Sequence, residues 1–336
     1  MRIITDVQAL KVTVDAVSKL VHTTTTIPIL QNLKLVADGA YLHVIGTDLD
    51  TSRRRSVDAP GDTGETTVNA RTLKTVLKHM PKGRVEITDG INEDRSGVQI
   101  KALDGEEAII TLSTLPVADF PEITTIRQVN SQYKMTVDAQ TLRDGIQRVR
   151  QAISTEETRY YLNGIYWDTR SGVKLVATDG HRLTRYNLNL PDTDGPSLII
   201  PRRAINDLAA ALYKHKGNVT ITWDENKISF RLGGDTIGTR TIEGSYPDYE
   251  RVIPSLRIAA QENGSGETGG AQVSAKRLQS AINRVSSVSS EKSRAIKVSF
   301  GGPLALSCQT PEKDLASETI STVWCSDAGV EYGIGV

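Results

Sequence analysis

The sequence is poor in cysteine and in aromatic residues, and it carries no excess of charge. Its two cysteines, Cys308 and Cys325, are too few for a disulfide framework, and they lack the C-x-x-C spacing of a zinc site. Aromatic residues make up 5% of the 336 residues, so a mainly aliphatic core is expected. A balance of 40 basic and 40 acidic residues excludes a polybasic nucleic-acid binder, but it allows a locally basic surface.

Long apolar runs and familiar catalytic motifs are also absent from the sequence. No stretch approaches the roughly 18 apolar residues that a membrane-spanning helix needs. The first residues, Met1–Asp6, lack the apolar core of a signal peptide, so we expect a cytoplasmic protein. The patterns G-x-x-x-x-G-K-[ST], G-x-S-x-G and H-E-x-x-H do not occur, and we expect no cofactor and no bound metal.

The chain contains an internal repeat. Residues 10–53 carry a helical pattern, the segment Pro28–Asn32, two short strands and the motif Gly46–Leu49. The same order recurs at residues 142–185, and a third copy begins at Leu278. Fixed self-similarity of this kind predicts repeated structural units that stack on one another.

A second kind of unit alternates with the first. It leads from a short strand into a helix at residues 68–80 and again at residues 199–212, and its copies end in similar segments at 115–121 and 244–249. The links between strands are too short for parallel crossovers, which predicts α+β domains whose helices pack on antiparallel sheets. The predicted limits are 1–127 and 128–254 for two complete domains, and 255–336 for a third whose C-terminal half is absent.

Basic residues recur beside the apolar stripes of the predicted helices, such as Leu10, Val14, Val17 and Val21 in the first and Leu142, Ile146 and Val149 in the second repeat. In a repeat protein, equivalent faces lie on the same side, so these charges would form one basic surface. Such a surface suits a phosphate backbone without reading bases. An ordinary solvated helix face remains the alternative for any single helix. The basic residues are Lys11, Lys19, Lys74, Lys78, Arg143, Arg148, Arg203, Lys214, Arg277 and Arg284.

Several short motifs, in this order and on this repeat, resemble the bacterial beta sliding clamp family, the beta subunits of DNA polymerase III. The resemblance covers essentially the whole chain. The motifs are Ile27–Leu33, Gly46–Leu49, Leu112–Pro116, Arg159–Gly164, Val176–Leu183 and Tyr246–Tyr249.

The resemblance implies the DNA-clamp fold and a role as a DNA replication processivity factor. Family members form a ring of two subunits around duplex DNA, with helices lining the hole and sheets forming the outer wall. The ring tethers DNA polymerase III and has no catalytic centre of its own. The implied partners are duplex DNA without sequence preference, the polymerase III alpha subunit, the clamp loader and other proteins carrying a clamp-binding peptide.

The resemblance also implies three sets of site residues. The implied peptide-binding pocket consists of Leu162, Thr178, Gly180, His181, Arg182, Leu183, Pro247, Arg251 and Val252. The implied DNA contacts are Arg159, Tyr160, Tyr161 and Arg203. The implied subunit interface pairs Ile110 and Leu112 with Ser287 and Val288.

Two alternatives remain open from the sequence. An incomplete third domain would also suit a truncated clamp relative that does not form a ring and acts as a peptide-binding interaction module. Asp179 and His181 could form an acid–base pair in a hydrolase, although no nucleophile motif accompanies them.

Overall fold

The computed structural model forms two compact units, Met1–Tyr246 and Pro247–Val336. The predicted domain boundaries at 127/128 and 254/255 both lie outside the described residues, so the three-domain division stays a prediction. The structure describes residues 1–21, 25–91, 96–105, 107–123, 133–253, 271–289, 295–299, 303–309, 314–322, 324–325 and 331–335.

Each α-helix in the described part of the first unit directly follows a β-strand. A polar side chain caps three of them: Asp6, Asn69 and Asp138 accept hydrogen bonds from backbone N–H groups of the first helical turn. The fourth helix begins after Pro201 without a side-chain cap. The helices are α1 (Val7–Val17), α2 (Ala70–His79), α3 (Ala139–Val149) and α4 (Arg202–Leu212).

The strands in the described part of the first unit form three antiparallel sheets, which confirms the predicted α+β class. Their orders are β1-β6-β7-β8, β12-β11-β10-β13 and β5-β2-β3-β4-β16-β15-β14-β9. The strands are β1 (Arg2–Asp6), β2 (Asn32–Ala37), β3 (Tyr41–Thr47), β4 (Thr51–Asp58), β5 (Gly64–Asn69), β6 (Arg84–Asp89), β7 (Val98–Ala102), β8 (Ile109–Leu112), β9 (Tyr133–Asp138), β10 (Gly164–Asp168), β11 (Lys174–Thr178), β12 (Leu183–Asn187), β13 (Leu198–Pro201), β14 (Asn218–Trp223), β15 (Lys227–Leu232) and β16 (Asp235–Arg240).

Among the described residues of the first unit lie two large hydrophobic cores, one for each complete repeat. The first is built from Ile, Val, Leu, Ala and Met side chains between Ile3 and Ala102, as the scarcity of aromatic residues predicts. The second also buries Trp167 and Trp223, whose rings meet edge to face at 6.0 Å. In α1 the predicted apolar stripe is buried, but the helix ends at Val17, and the backbone tightens into short turns before Val21.

One sheet runs through both repeats, because β4 of the first pairs with β16 of the second. The Arg53 side chain is only 3% exposed and spans this junction. Its Nε and Nη2 donate to the two carboxylate oxygens of Asp235 at 2.9 and 2.5 Å, and its Nη1 donates to the Ala16 carbonyl of α1 at 3.3 Å. The junction is therefore closed by a bidentate ion pair as well as by backbone hydrogen bonds.

The helices of the two repeats lie on the same face of this shared sheet. On that face Arg53 donates a hydrogen bond to α1, and Asp207 of α4 lies close enough to interact electrostatically with Arg53. Burial raises the pKa of Asp207, and the neighbouring Arg53, Arg203 and Lys19 charges oppose the rise. Helix α2 packs on α1, and α3 packs on α4, so a four-helix layer covers one side of the sheet.

The second unit has one helix and two sheets among its described residues. Its small core includes Ala281, Val285, Ile296, Leu306 and the thiol-bearing Cys308. Sheet orders are β20-β19-β18-β22 and β17-β21. The elements are β17 (Ala271–Gln272), α5 (Ala275–Val285), β18 (Ala295–Ser299), β19 (Leu304–Gln309), β20 (Leu315–Ile320), β21 (Trp324–Cys325) and β22 (Glu331–Gly335).

Short 3₁₀ turns connect several of these elements. They span Pro28–Gln31, Val117–Asp119, Arg150–Ala152, Tyr160–Leu162, Tyr249–Val252 and Ser286–Val288. Among the helices of the described ranges, none combines the length and the apolar character that crossing a membrane requires.

Replacing Arg53 by methionine should destabilise the first unit by about 3–5 kcal/mol, because the Asp235 carboxylate, which is only 12% exposed, would lose its bidentate ion-pair partner. The measurement is the free energy of unfolding in urea. Arg55→Met is the matched control. Arg55 lies on the same strand, 3.8 Å from Asp235 and 30% exposed, so its loss should cost no more than about 1 kcal/mol.

Equal losses of unfolding free energy in the two variants would contradict the assignment of Arg53 as the junction residue. The double variant Arg53→Met with Asp235→Leu should recover much of the lost stability, because no unpaired charge remains buried.

Candidate functional site

A tight turn at residues 179–182 joins β11 to β12 and is held by its own hydrogen bonds. The Asp179 Oδ1 accepts from the backbone N–H groups of His181 and Arg182, both at 3.0 Å. The Thr178 hydroxyl donates to the Arg182 carbonyl at 2.7 Å and accepts from the Gly180 N–H at 3.1 Å. This network fixes the backbone, while the side chains of His181 and Arg182 remain exposed.

Gly180 is favoured in this turn by its backbone conformation, and it leaves room for Arg159. Its φ is +88°, a left-handed conformation that residues with a Cβ rarely adopt. A Cβ added there would also lie 2.6 Å from Nη1 of Arg159. Arg159, predicted as a DNA contact, therefore packs directly over a turn predicted to bind peptides.

Arg159 is held in this position by an ion pair. Its Nε and Nη2 donate to the two carboxylate oxygens of Glu156 at 2.7 and 2.6 Å. The hydrogen bond from Arg159 lowers the pKa of Glu156. The structure thus brings two predicted sites together, which the sequence alone did not indicate because Arg159 and Gly180 are far apart along the chain.

The pKa of Asp179 is also lowered. Burial raises it, but hydrogen bonds from the backbone N–H groups of Arg182 and His181 and from the Arg182 side chain outweigh that effect. His181 is linked to Asp179 through its backbone N–H, and its ring forms no hydrogen bond to any residue of the described ranges. The side-chain pairing that the hydrolase alternative needs is not formed here.

The face of sheet β12-β11-β10-β13 that turns away from the core is partly apolar beside this turn. Leu183 lies opposite Thr178, and Val176 lies opposite Tyr166, so all four side chains share that face. Leu183 is half-buried. Leu162, which is 3% exposed, ends the 3₁₀ turn that leads into β10. The face thus offers apolar surface next to exposed polar groups, the combination expected of a ligand site.

Tyr246 extends this apolar face, and sequence reasoning missed its partner. Its ring stacks on that of Tyr166 at 4.5 Å between centroids and 1° between planes. Burial raises the pKa of the Tyr246 hydroxyl. The sequence contained one usable signal, the outward position of Tyr166 between the inward-facing Ile165 and Trp167, but the pairing with Tyr246 depends on tertiary structure.

Three predicted pocket residues belong to the second unit. Pro247 is exposed, and Arg251 and Val252 lie in the 3₁₀ turn Tyr249–Val252. The Arg251 Nε donates to Asp248 at 2.9 Å, and the Val252 side chain is 69% exposed. Val252 is thus an apolar side chain on the surface of its own unit.

Among the predicted DNA contacts, Tyr160 and Tyr161 differ from Arg203 in whether their side chains are available to bind a ligand. The Tyr160 side chain is 54% exposed and meets the Tyr161 ring edge to face at 5.9 Å. Arg203 already has partners inside the first unit: its guanidinium pairs with Asp48 at 3.0 Å and donates to the Leu20 carbonyl at 2.7 Å. Arg203 therefore ties α4 to the first repeat.

The predicted interface residues are mostly half-buried. Ile110 and Leu112 of β8 pack against the first core, whereas their neighbour Ile109 is 49% exposed on this edge strand. In the second unit, the Ser287 hydroxyl donates to the Arg284 carbonyl at 2.7 Å, and Val288 packs against the local core. No group of three His, Cys, Asp or Glu side chains suited to a metal ion occurs among the residues described.

Comparison with known proteins gives consistent matches along the chain. The sequence model for the DNA polymerase III beta subunit, N-terminal domain, matches residues 1–124, and that for its central domain matches residues 136–248. The beta sliding clamp of Pseudomonas putida is 31% identical over 335 residues, 98% of this chain and 86% of the relative. That of Escherichia coli is 29% identical over 317 residues, 93% of this chain and 81% of the relative.

Solved structures agree with these matches. A sliding clamp from Pseudomonas aeruginosa, bound to griselimycin, has a TM-score of 0.82 and 30% identity over 100% of this chain and 87% of its own. The DNA polymerase sliding clamp of Caulobacter crescentus has a TM-score of 0.79 and 29% identity, with the same coverage of 100% and 87%. The DNA-clamp fold implied by the sequence motifs is therefore confirmed. The chain belongs to the beta sliding clamp family, the beta subunits of DNA polymerase III, and it is a processivity clamp of DNA replication.

Proposed function

We propose that this clamp encircles duplex DNA as a ring of two subunits and captures linear peptides of its replication partners. The observation that carries this proposal is the four-helix layer on one face of the sheet shared by the two repeats. A layer of this kind would present one continuous helical surface to DNA. The partners are the polymerase III alpha subunit, the clamp loader and other proteins with a clamp-binding peptide.

Lysines on the helical side supply the attraction to DNA. Lys11, Lys19, Lys78 and Lys214 form no ion pair with the described part of the chain. Lys74, by contrast, is paired with Asp15 at 3.1 Å. Screened contacts between lysines and phosphates carry no sequence information, so they hold the duplex without stopping the clamp from sliding.

Arg159, Tyr160 and Tyr161 form the proposed contact with exposed bases. An aromatic ring that is more than half exposed, as Tyr160 is, can stack on an unpaired base at a primer–template junction. Arg203 contributes chiefly by positioning α4, because its guanidinium already pairs with Asp48.

The peptide site is proposed on the outward face around Leu162, Thr178 and Leu183, with Gly180, His181 and Arg182 at its rim. Apolar peptide anchors would pack on the half-buried Leu183. The exposed Arg182 already donates to Asp179 and to the Gln151 carbonyl, and it would exchange these partners for acidic peptide groups. Pro247, Arg251 and Val252 of the second unit are further proposed peptide contacts.

Two further elements complete the proposal. The subunit contact would pair Ile110 and Leu112 of one protomer with Ser287 and Val288 of its partner. The family is a non-catalytic accessory subunit of the polymerase, and we extend that property to this chain.

Encirclement predicts that closed circular duplex DNA retains the clamp after loading, whereas the same DNA cut once releases it from the ends. The measurement is co-elution of labelled clamp with DNA in gel filtration at about 0.15 M salt, where surface charge contacts are screened beyond roughly 8 Å. Equal retention on circular and linear DNA would contradict a ring.

Replacing Leu183 by aspartate should weaken the binding of a peptide with leucine and phenylalanine anchors by at least about tenfold, because a charge would enter the apolar face. Fluorescence anisotropy measures the affinity. Leu315→Asp is the matched control, since Leu315 is 68% exposed on β20 and its replacement should change neither affinity nor folding.

An unchanged peptide affinity in a folded Leu183→Asp protein would place the pocket elsewhere. Retention on circular DNA should survive this substitution, so the two functions can be tested separately.

A further inference from the structure

A cleft of about 780 Å³ lies on the face of the shared sheet opposite the helices. Its floor is formed by outward side chains of β2, β3, β4, β16 and β15, and its wall is formed by residues 117–123. None of these residues belongs to the proposed peptide pocket, DNA contacts or subunit interface. A volume of this size is within the range of specific ligand sites.

Five of the floor side chains form a single row across the strands. Lys34 lies opposite Ile45, Ile45 opposite Arg54, Arg54 opposite Thr236, and Thr236 opposite Arg231. Paired residues of an antiparallel sheet project to the same face, and neighbouring strands lie about 4.8 Å apart. The three cations therefore recur at intervals of about 10 Å along one straight line.

Two of these cations are free to bind. Lys34 is neutralised by Glu65, 2.8 Å away. Arg54 and Arg231 are exposed and form no ion pair or side-chain hydrogen bond with the described part of the chain. Glu122 on the wall is the other acidic group of the cleft and has a partner of its own. The cleft thus presents two guanidinium groups about 10 Å apart, with Thr236 between them.

The wall is apolar and anchored to the sheet. Phe120 is 7% exposed and packs with Ile29 and Leu30, and Ile45 of the floor packs against the same cluster. The Thr67 hydroxyl donates to the Leu115 carbonyl at 2.7 Å and accepts from the Leu115 N–H at 3.1 Å. The cleft is therefore a preformed groove with a charged floor and a wall that is apolar apart from Glu122.

We propose that this cleft binds an extended acidic peptide of a protein partner. Two carboxylates three residues apart would meet Arg54 and Arg231, because three residues of extended chain span about 10 Å. An apolar residue after the second carboxylate would then reach Ile45 and Phe120. Arginine binds carboxylates with charge-assisted, often bidentate hydrogen bonds, so both spacing and charge favour this ligand.

The test uses the full chain and a fluorescein-labelled peptide, Gly-Ser-Asp-Ser-Gly-Asp-Ile-Gly-Ser. Anisotropy titration should show binding that is at least about tenfold tighter than for Gly-Ser-Asp-Asp-Gly-Ser-Ile-Gly-Ser, which has the same composition with adjacent carboxylates. The double variant Arg54→Ser with Arg231→Ser should lose this preference and most of the affinity.

Arg240→Ser is the matched control, because Arg240 lies on the same strand and face as Thr236 but outside the cleft. It should bind the first peptide as the unmodified chain does, and so should Leu183→Asp. Equal affinity for the two peptides, or full binding by the double variant, would overturn the proposal. A loss of affinity for the first peptide in Leu183→Asp would also overturn it. So would tighter binding of single-stranded DNA than of the peptide at Arg54 and Arg231.

Discussion

The pairing of β4 with β16 is the contact on which the rest of the first unit depends. Without it, each repeat would end in an open sheet edge with unpaired backbone groups. With it, the eight strands form one sheet, closed at the junction by the buried Arg53–Asp235 ion pair. The largely desolvated Asp235 carboxylate is tolerated there because both of its oxygens accept hydrogen bonds from the same guanidinium.

The two faces of this sheet then acquire different roles. One face is covered by helices from both repeats, and Arg203 links α4 to the end of α1 through the Leu20 carbonyl. The opposite face carries the cationic row and the wall at residues 117–123. This separation fits the proposed ring, in which sequence-independent phosphate contacts would lie on the helical side and protein contacts on the side away from DNA.

Sequence periodicity was sufficient to predict the fold class and most of the buried positions in the helices. The repeat predicted antiparallel α+β units, and the stripe Leu142, Ile146 and Val149 is buried as expected. The sequence pattern did not predict contacts between segments that are distant along the chain. Arg159 over Gly180, Arg203 with Asp48, and the row that joins Arg54 to Arg231 all depend on strand register and on close packing, and neither leaves a local signal in the sequence.

Native-state hydrogen exchange at the backbone amides of β4 and β16 tests most directly whether the two repeats unfold together as one cooperative unit. Amides that open only with the whole unit exchange with its global free energy of unfolding. The account predicts that the paired amides from Thr51 to Arg55 and from Asp235 to Thr239 are protected as strongly as those of the two cores. Exchange of both strands well before either core would show that the repeats fold independently, and it would contradict the account.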